Sequence, residues 1–168
     1  MVLAGLLSVA ATGQTADEYR VKAAFLYNFT KFVEWPAQAF KSSTDPFVIC
    51  ILGKNPFGNL VYEAVSGKTV EGRAFSVLEI TEVAQARFCH ILFVSDSQRK
   101  RLGPIFDAVK GSGTLTVGET DGFTAQDGVI NFKIVDGNVR LQINMDSVAK
   151  QQLHISAKLL SLAEIVKK

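Results

Sequence analysis

The residues best placed to do chemistry are two cysteines, Cys50 and Cys89, the only two in the 168-residue sequence. Each lies in a short apolar run: PFVICILG, Pro46 to Gly53, and CHILFVS, Cys89 to Ser95. Such runs read as strands buried on both faces. An even cysteine count favours a disulfide if the chain is exported, and two buried free thiols are the other reading of the same pair. Closing a loop of this length would contribute about 4 kcal/mol by restricting the unfolded chain.

The remaining candidates carry less. Gly53-Lys54-Asn55-Pro56-Phe57-Gly58 follows a strand and opens a helix, where a phosphate loop would sit. A P-loop needs Lys and Ser or Thr after its second glycine, and Asn59 and Leu60 stand there instead. Gly111-Ser112-Gly113 lacks the third glycine of a dinucleotide turn and reads as a connector. A receiver-type acidic site is excluded because the first strand ends Ile51-Leu52-Gly53. There is no GxSxG elbow. His90 lies inside an apolar strand and reads as a core histidine; His154 is the only other. Glu119, Asp121 and Asp127 share a Gly-rich loop but lack EF-hand spacing, so a solvated turn is expected. No nucleophile, base and oxyanion hole assemble, so the expectation is a protein without catalytic residues, metal or cofactor.

These residues need a scaffold. Asp17 to Trp35 has helical spacing, with Val21, Ala24, Phe25, Phe32 and Trp35 expected on one face and Leu26, Phe29 and Val33 widening it. Pro36 stops the helix. The strand at Pro46–Gly53 is followed by a helix through Leu60 and Val65, a strand at Ala74–Ile80, a short helical turn from Glu82, and the Cys89–Ser95 strand. Ser95 and Gln98 have capping-box spacing for a helix that Gly103-Pro104 interrupts, and Thr114–Val117 is a fourth strand. Val129–Val135 and Val139–Asn144 alternate around Asp136-Gly137, a hairpin with a type I′ turn. Asp146 to Val166 reads as helix with a break near His154-Ile155-Ser156. Strands alternating with helices, then a hairpin, predict a three-layer α/β/α sandwich with a mostly parallel sheet and a C-terminal antiparallel hairpin.

Length predicts one domain, residues 17–168. Apolar residues are 48% and charged residues 20%, the balance of a globule. A net charge of +2, with no basic run longer than Arg99-Lys100-Arg101, gives no reason to expect nucleic acid. Val2 to Thr12 is a short apolar run ending in small residues, too short to span a bilayer, and reads as the remnant of a signal peptide over residues 1–16. The mature protein is therefore expected outside the cytoplasm.

Several blocks resemble the YfiR-like periplasmic proteins: YRVKAAFLYNFTKFVEWP (Tyr19 to Pro36), ICILGKNPFG (Ile49 to Gly58), CHILFVSDS (Cys89 to Ser97), LTVGETDGF (Leu115 to Phe123), INFKIVDGNVRLQIN (Ile130 to Asn144) and LHISAKLLSLA (Leu153 to Ala163). The resemblance implies a regulator that binds and represses the periplasmic sensory domain of an inner-membrane diguanylate cyclase, lowering cyclic-di-GMP and biofilm formation. It also implies a homodimer and sequestration by an outer-membrane lipoprotein. Cys50 and Cys89 match one of the family's two disulfides, while the second pair is absent, since Asn131 to Lys168 holds no cysteine.

Three sets of site residues follow as expectations. Arg140, Gln142, Lys150 and Lys158 are candidate partner contacts on the hairpin and last helix. Phe29 and Trp35 are candidates for a dimer or partner face on the first helix. Gly53, Pro56, Phe57, Gly118 and Phe123 would line a crevice at the strand ends if the protein is instead a small-ligand-binding sensor working with another membrane partner.

Overall fold

A computed structural model describes residues 10–167, with side chains from Thr15 onward. Most of the signal-peptide reading, residues 1–9, lies outside the described residues; Ala10 to Ala16 continue into the first helix.

The long helix α1 runs Ala10–Phe32 and is followed by β1, Val33–Glu34. The central sheet begins with β2, Phe47–Leu52, whose burial on both faces matches its branched composition. Helix α2, Leu60–Val65, leads to β3, Phe75–Ile80. A 3-10 turn at Val83–Phe88 then leads to β4, Ile91–Val94. Helix α3, Leu102–Val109, precedes β5, Leu115–Gly118. The hairpin is β6, Ile130–Val135, and β7, Asn138–Asn144. The chain closes with α4 (Met145–Lys150), β8 (His154–Ile155), α5 (Ala157–Leu160) and β9 (Ala163–Val166). Seven strands form one sheet in the order β3-β2-β4-β5-β6-β7-β9, and β1 pairs with β8 in a separate two-stranded ribbon. Within the sheet only β6–β7 is antiparallel.

Strand alternation divides the core into two layers. Ile49 and Ile51 of β2 and Ile91 and Phe93 of β4 face Ala23, Leu26 and Phe29 of α1 and Val61 and Val65 of α2. Cys50, Leu52, Leu92 and Val94 face Leu102, Ile105, Phe106 and Val109 of α3. The sandwich is the one the element pattern predicts.

Two expectations need correction. Asp146–Val166 is not a helix with one break. The tail from Ala163 becomes an edge strand parallel to β7, with Leu141 opposite Ala163 and Ile143 opposite Ile165. Its short Ala163-Glu164-Ile165-Val166 run fits helical spacing as well as a strand, and the unpaired edge of β7 decides in favour of the strand. The face of α1 is also rotated. Ala23, Leu26, Phe29 and, beyond the helix, Val33 are buried, whereas Val21 is 44% exposed and Ala24 is exposed too. Lys22 is what hid this: it is a buried cation on the inward side, and a lysine counts as solvent-facing in a periodicity reading. Trp35 falls beyond the helix end, past the β1–β8 ribbon.

Candidate functional site

At the carboxyl ends of the parallel strands, where α/β sheets place ligands, side chains pack closely against the glycines. The chain reverses direction between β2 and β4, and Gly53 ends β2 there with φ of +93°. A Cβ on Gly53 would sit 2.5 Å from Ser97 Oγ and 2.8 Å from the Gln98 side chain, so those groups already fill the switch point. Lys54 donates its backbone N–H to Ser97 Oγ at 3.0 Å. Phe123 is fully buried between Gly118 and Gly128, where added Cβ atoms would meet its ring at 2.4 and 2.2 Å. Phe57 is buried against Phe93 and Tyr19. Gly53, Gly118, Phe57 and Phe123 are therefore packing positions. Pro56 and Phe57 do border a shallow apolar recess with Thr15, Tyr19 and Leu60.

Next to this end lies a cluster that sequence reading missed. Lys22 Nζ bonds Glu119 Oε2 at 2.8 Å and also pairs with Glu18. Tyr19 donates its hydroxyl to Glu119 at 3.0 Å. Lys22 and Glu119 side chains are 3% and 9% exposed, so Glu119 is no solvated loop acid. Burial, then the Glu119 carboxylate, push the Tyr19 phenol well above its ordinary pKa, so it serves as a donor. The group bolts α1 to the loop after β5. The spacing of Glu18 and Lys22, four apart on a helix, was the only signal available.

At the opposite end, His90 is a structural histidine as expected. Its Nδ1 accepts from Val48 N–H at 3.0 Å, which leaves the proton on Nε2 to donate to Ala39 C=O at 2.9 Å. The ring stacks on Phe40, 4.2 Å between centroids. Trp35 donates Nε1–H to His90 C=O at 3.1 Å and packs edge-on against Phe47. Burial depresses the His90 pKa, and the Arg73 charge adds to this, while the Ala39 bond and Asp45 oppose it. Arg73 in turn lies over the Phe40 ring and donates to the Ser42 and Asp45 carbonyls.

The disulfide is formed: Cys50 of β2 is bonded to Cys89, just before β4, with Cα atoms 5.9 Å apart. Both sulfurs are buried in the layer under α3.

The partner candidates do not share one face. Arg140 is exposed and Gln142 half-buried on the sheet face away from α1, and Gln142 donates to Glu164 of β9 at 3.2 Å. Lys158 lies on the other side, with its ammonium 5.5 Å from the Phe32 ring centroid. Lys150 pairs with Asp127 at 3.1 Å. Phe29, expected at a dimer or partner face, has no exposed surface and stacks on Phe25 and Phe132 in the core. Trp35 is half-buried. Large apolar side chains do stand exposed: Phe88 at 77% beside the disulfide, Leu162 at 62% and Ile165 at 41% beside the free edge of β9, Leu78 on β3, Ile134 and Val135 near the hairpin tip, and Val21 on α1.

No helix among the described residues is long and apolar enough to cross a membrane. The doubly wound sheet between helical layers defines an α/β domain. The chain belongs to the YfiR/HmsC-like family, whose model matches residues 19–164. Among solved structures, a conserved domain protein from Vibrio cholerae O1 biovar El Tor aligns with a TM-score of 0.60 at 9% identity, covering 89% of this chain and 60% of that one. An ABC domain in complex with L-Trp from Streptococcus pneumonia aligns with a TM-score of 0.53 at 9% identity, covering 91% of this chain and 60% of that one. At such identity the likeness is one of fold, and the chain spans 60% of the length of each. No curated protein matches the sequence.

Proposed function

We propose that this protein is an exported, periplasmic regulator that binds the periplasmic sensory domain of an inner-membrane diguanylate cyclase and represses it, lowering cyclic-di-GMP and biofilm formation. The observation that carries this reading is the family match across residues 19–164. The role is one of binding, and the disulfide supports export because such bonds persist in oxidising compartments. A homodimer, and release by an outer-membrane lipoprotein, belong to the same reading by family resemblance.

The contact surface we assign is the sheet edge at β9. Leu162 and Ile165 supply exposed apolar area, and Arg140 and Glu164 lie beside it as rim charges. Apolar anchors hold most binding energy, whereas rim charges act mainly on association rate. An exposed strand edge also offers unpaired backbone groups to a partner. Surface plasmon resonance with an immobilised cyclase sensory domain tests this. Wild type should bind, and L162E/I165E should bind at least tenfold more weakly with unchanged circular dichroism. Equal binding by both proteins would remove this edge from the interface.

A further inference from the structure

A cleft of about 160 Å³ opens on the far side of the sheet from α1, between α3, β5 and α4. It is separate from the strand-end crevice and from the β9 edge. Its apolar wall is Phe106 and Val109 of α3, both buried. Thr116 and Ser147 supply two hydroxyls, at 1% and 2% exposure. Its rim carries the Lys150–Asp127 ion pair, with Lys110 and Asp107 opposite.

The hydroxyls are the informative groups. Ser147 Oγ is buried and has no hydrogen-bond partner. Leaving such a group unpaired costs about 1–3 kcal/mol, so it calls for an explanation. Thr116 Oγ1 accepts the Val129 N–H at 2.9 Å, which leaves its proton as the group still to be placed. Gln151 bonds elsewhere: its Oε1 accepts from Gly113 and Thr114, and its Nε2 donates to the Val109 carbonyl. A second irregularity lies at the rim, where Asp127 holds φ of +90°, a left-handed conformation that a non-glycine residue adopts at a cost.

Two hydroxyl donors beside lysines, backed by an apolar wall, are complementary to one carboxylate on a short alkyl chain. Asp107 and Asp127 at the mouth oppose a second negative charge, which disfavours phosphate and dicarboxylates. We propose that this cleft binds a small monocarboxylate, its oxygens accepting from Ser147 and Thr116 and its chain lying on Phe106 and Val109.

The test uses the full chain and sodium propionate, followed by two-dimensional amide NMR. Saturable shifts should appear at Thr116, Val129, Ser147 and Gln151, with sodium chloride at equal ionic strength as the reference. S147A should weaken propionate at least tenfold. T116V, a second and nearly isosteric variant, should do so if S147A perturbs the fold. Phosphate and 1-propanol should give no saturable shifts at these sites. No saturable propionate response would show that the cleft holds water alone, and an undiminished one in folded S147A and T116V would show that these hydroxyls do not hold a carboxylate; either result overturns the proposal.

Discussion

Lys22 shows how much a single misplaced charge can reveal. Its ammonium is buried because Glu119 and Glu18 meet it, and the pair spans almost a hundred residues of sequence. Removing Glu119 leaves Lys22 with Glu18 as its one remaining carboxylate, so the loss should reach up to the roughly 3–5 kcal/mol typical of a broken buried pair. E119A should therefore lower the unfolding free energy from urea titration by up to that amount, whereas K22M/E119L, which replaces the pair by apolar groups, should recover most of it. A small loss in E119A would mean that water reaches the pair. His90 provides a pH signature. Its pKa lies below the ordinary value of 6.5 in the folded state, so the unfolded chain binds the proton more readily. The sign follows: His90's contribution is fully present above about pH 6.5 and is lost as pH falls below it. Urea midpoints of the wild type should drop between pH 7.5 and 5.5, and H90Q should show a smaller drop. Equal slopes would place the proton uptake elsewhere. Glu119 and Lys22 were not legible in sequence, since nothing local distinguishes a loop acid that finds a buried lysine from one that faces water. His90 was legible, because it stands in an otherwise apolar run, just ahead of β4.

At the scale of elements, strands β2, β4 and β5 were readable from their continuous branched runs, and the hairpin from its alternation around Asp136-Gly137. The C-terminal tail was not, because four residues with three apolar positions satisfy either period. Only β7, with one side unpaired, settles the matter by offering hydrogen bonds along Leu141 to Asn144. The close packing at Gly53 and Gly118 was not legible for a related reason. A glycine at a strand end admits a ligand or a neighbouring side chain equally well, and here Ser97, Gln98 and Phe123 take the space. The disulfide joins adjacent strand segments 39 residues apart. In the chain-entropy view it contributes about 4 kcal/mol. C50A/C89A should thus unfold at a lower urea concentration, with up to that loss in stability, and the protein with its bond intact should yield no free thiol to alkylation in denaturant without reductant. Two alkylated thiols under those conditions would show that the bond does not form in the native protein.

For the whole molecule, one layer of helices and β1–β8 covers one face of the sheet, α3 covers part of the other, and the β9 edge stays open. A packed-shut strand end and an open apolar edge suit a protein that acts by docking. If the edge serves the cyclase alone, L162E/I165E should leave any dimer fraction seen by sedimentation unchanged. The central claim is repression, and the most direct measurement is cyclic-di-GMP synthesis by a membrane-reconstituted diguanylate cyclase, with its sensory domain facing added protein. The account predicts that wild type lowers the rate in a saturable manner and that L162E/I165E needs at least tenfold more protein for the same effect. A rate unchanged by saturating wild-type protein, with a cyclase shown to bind it, would contradict the account.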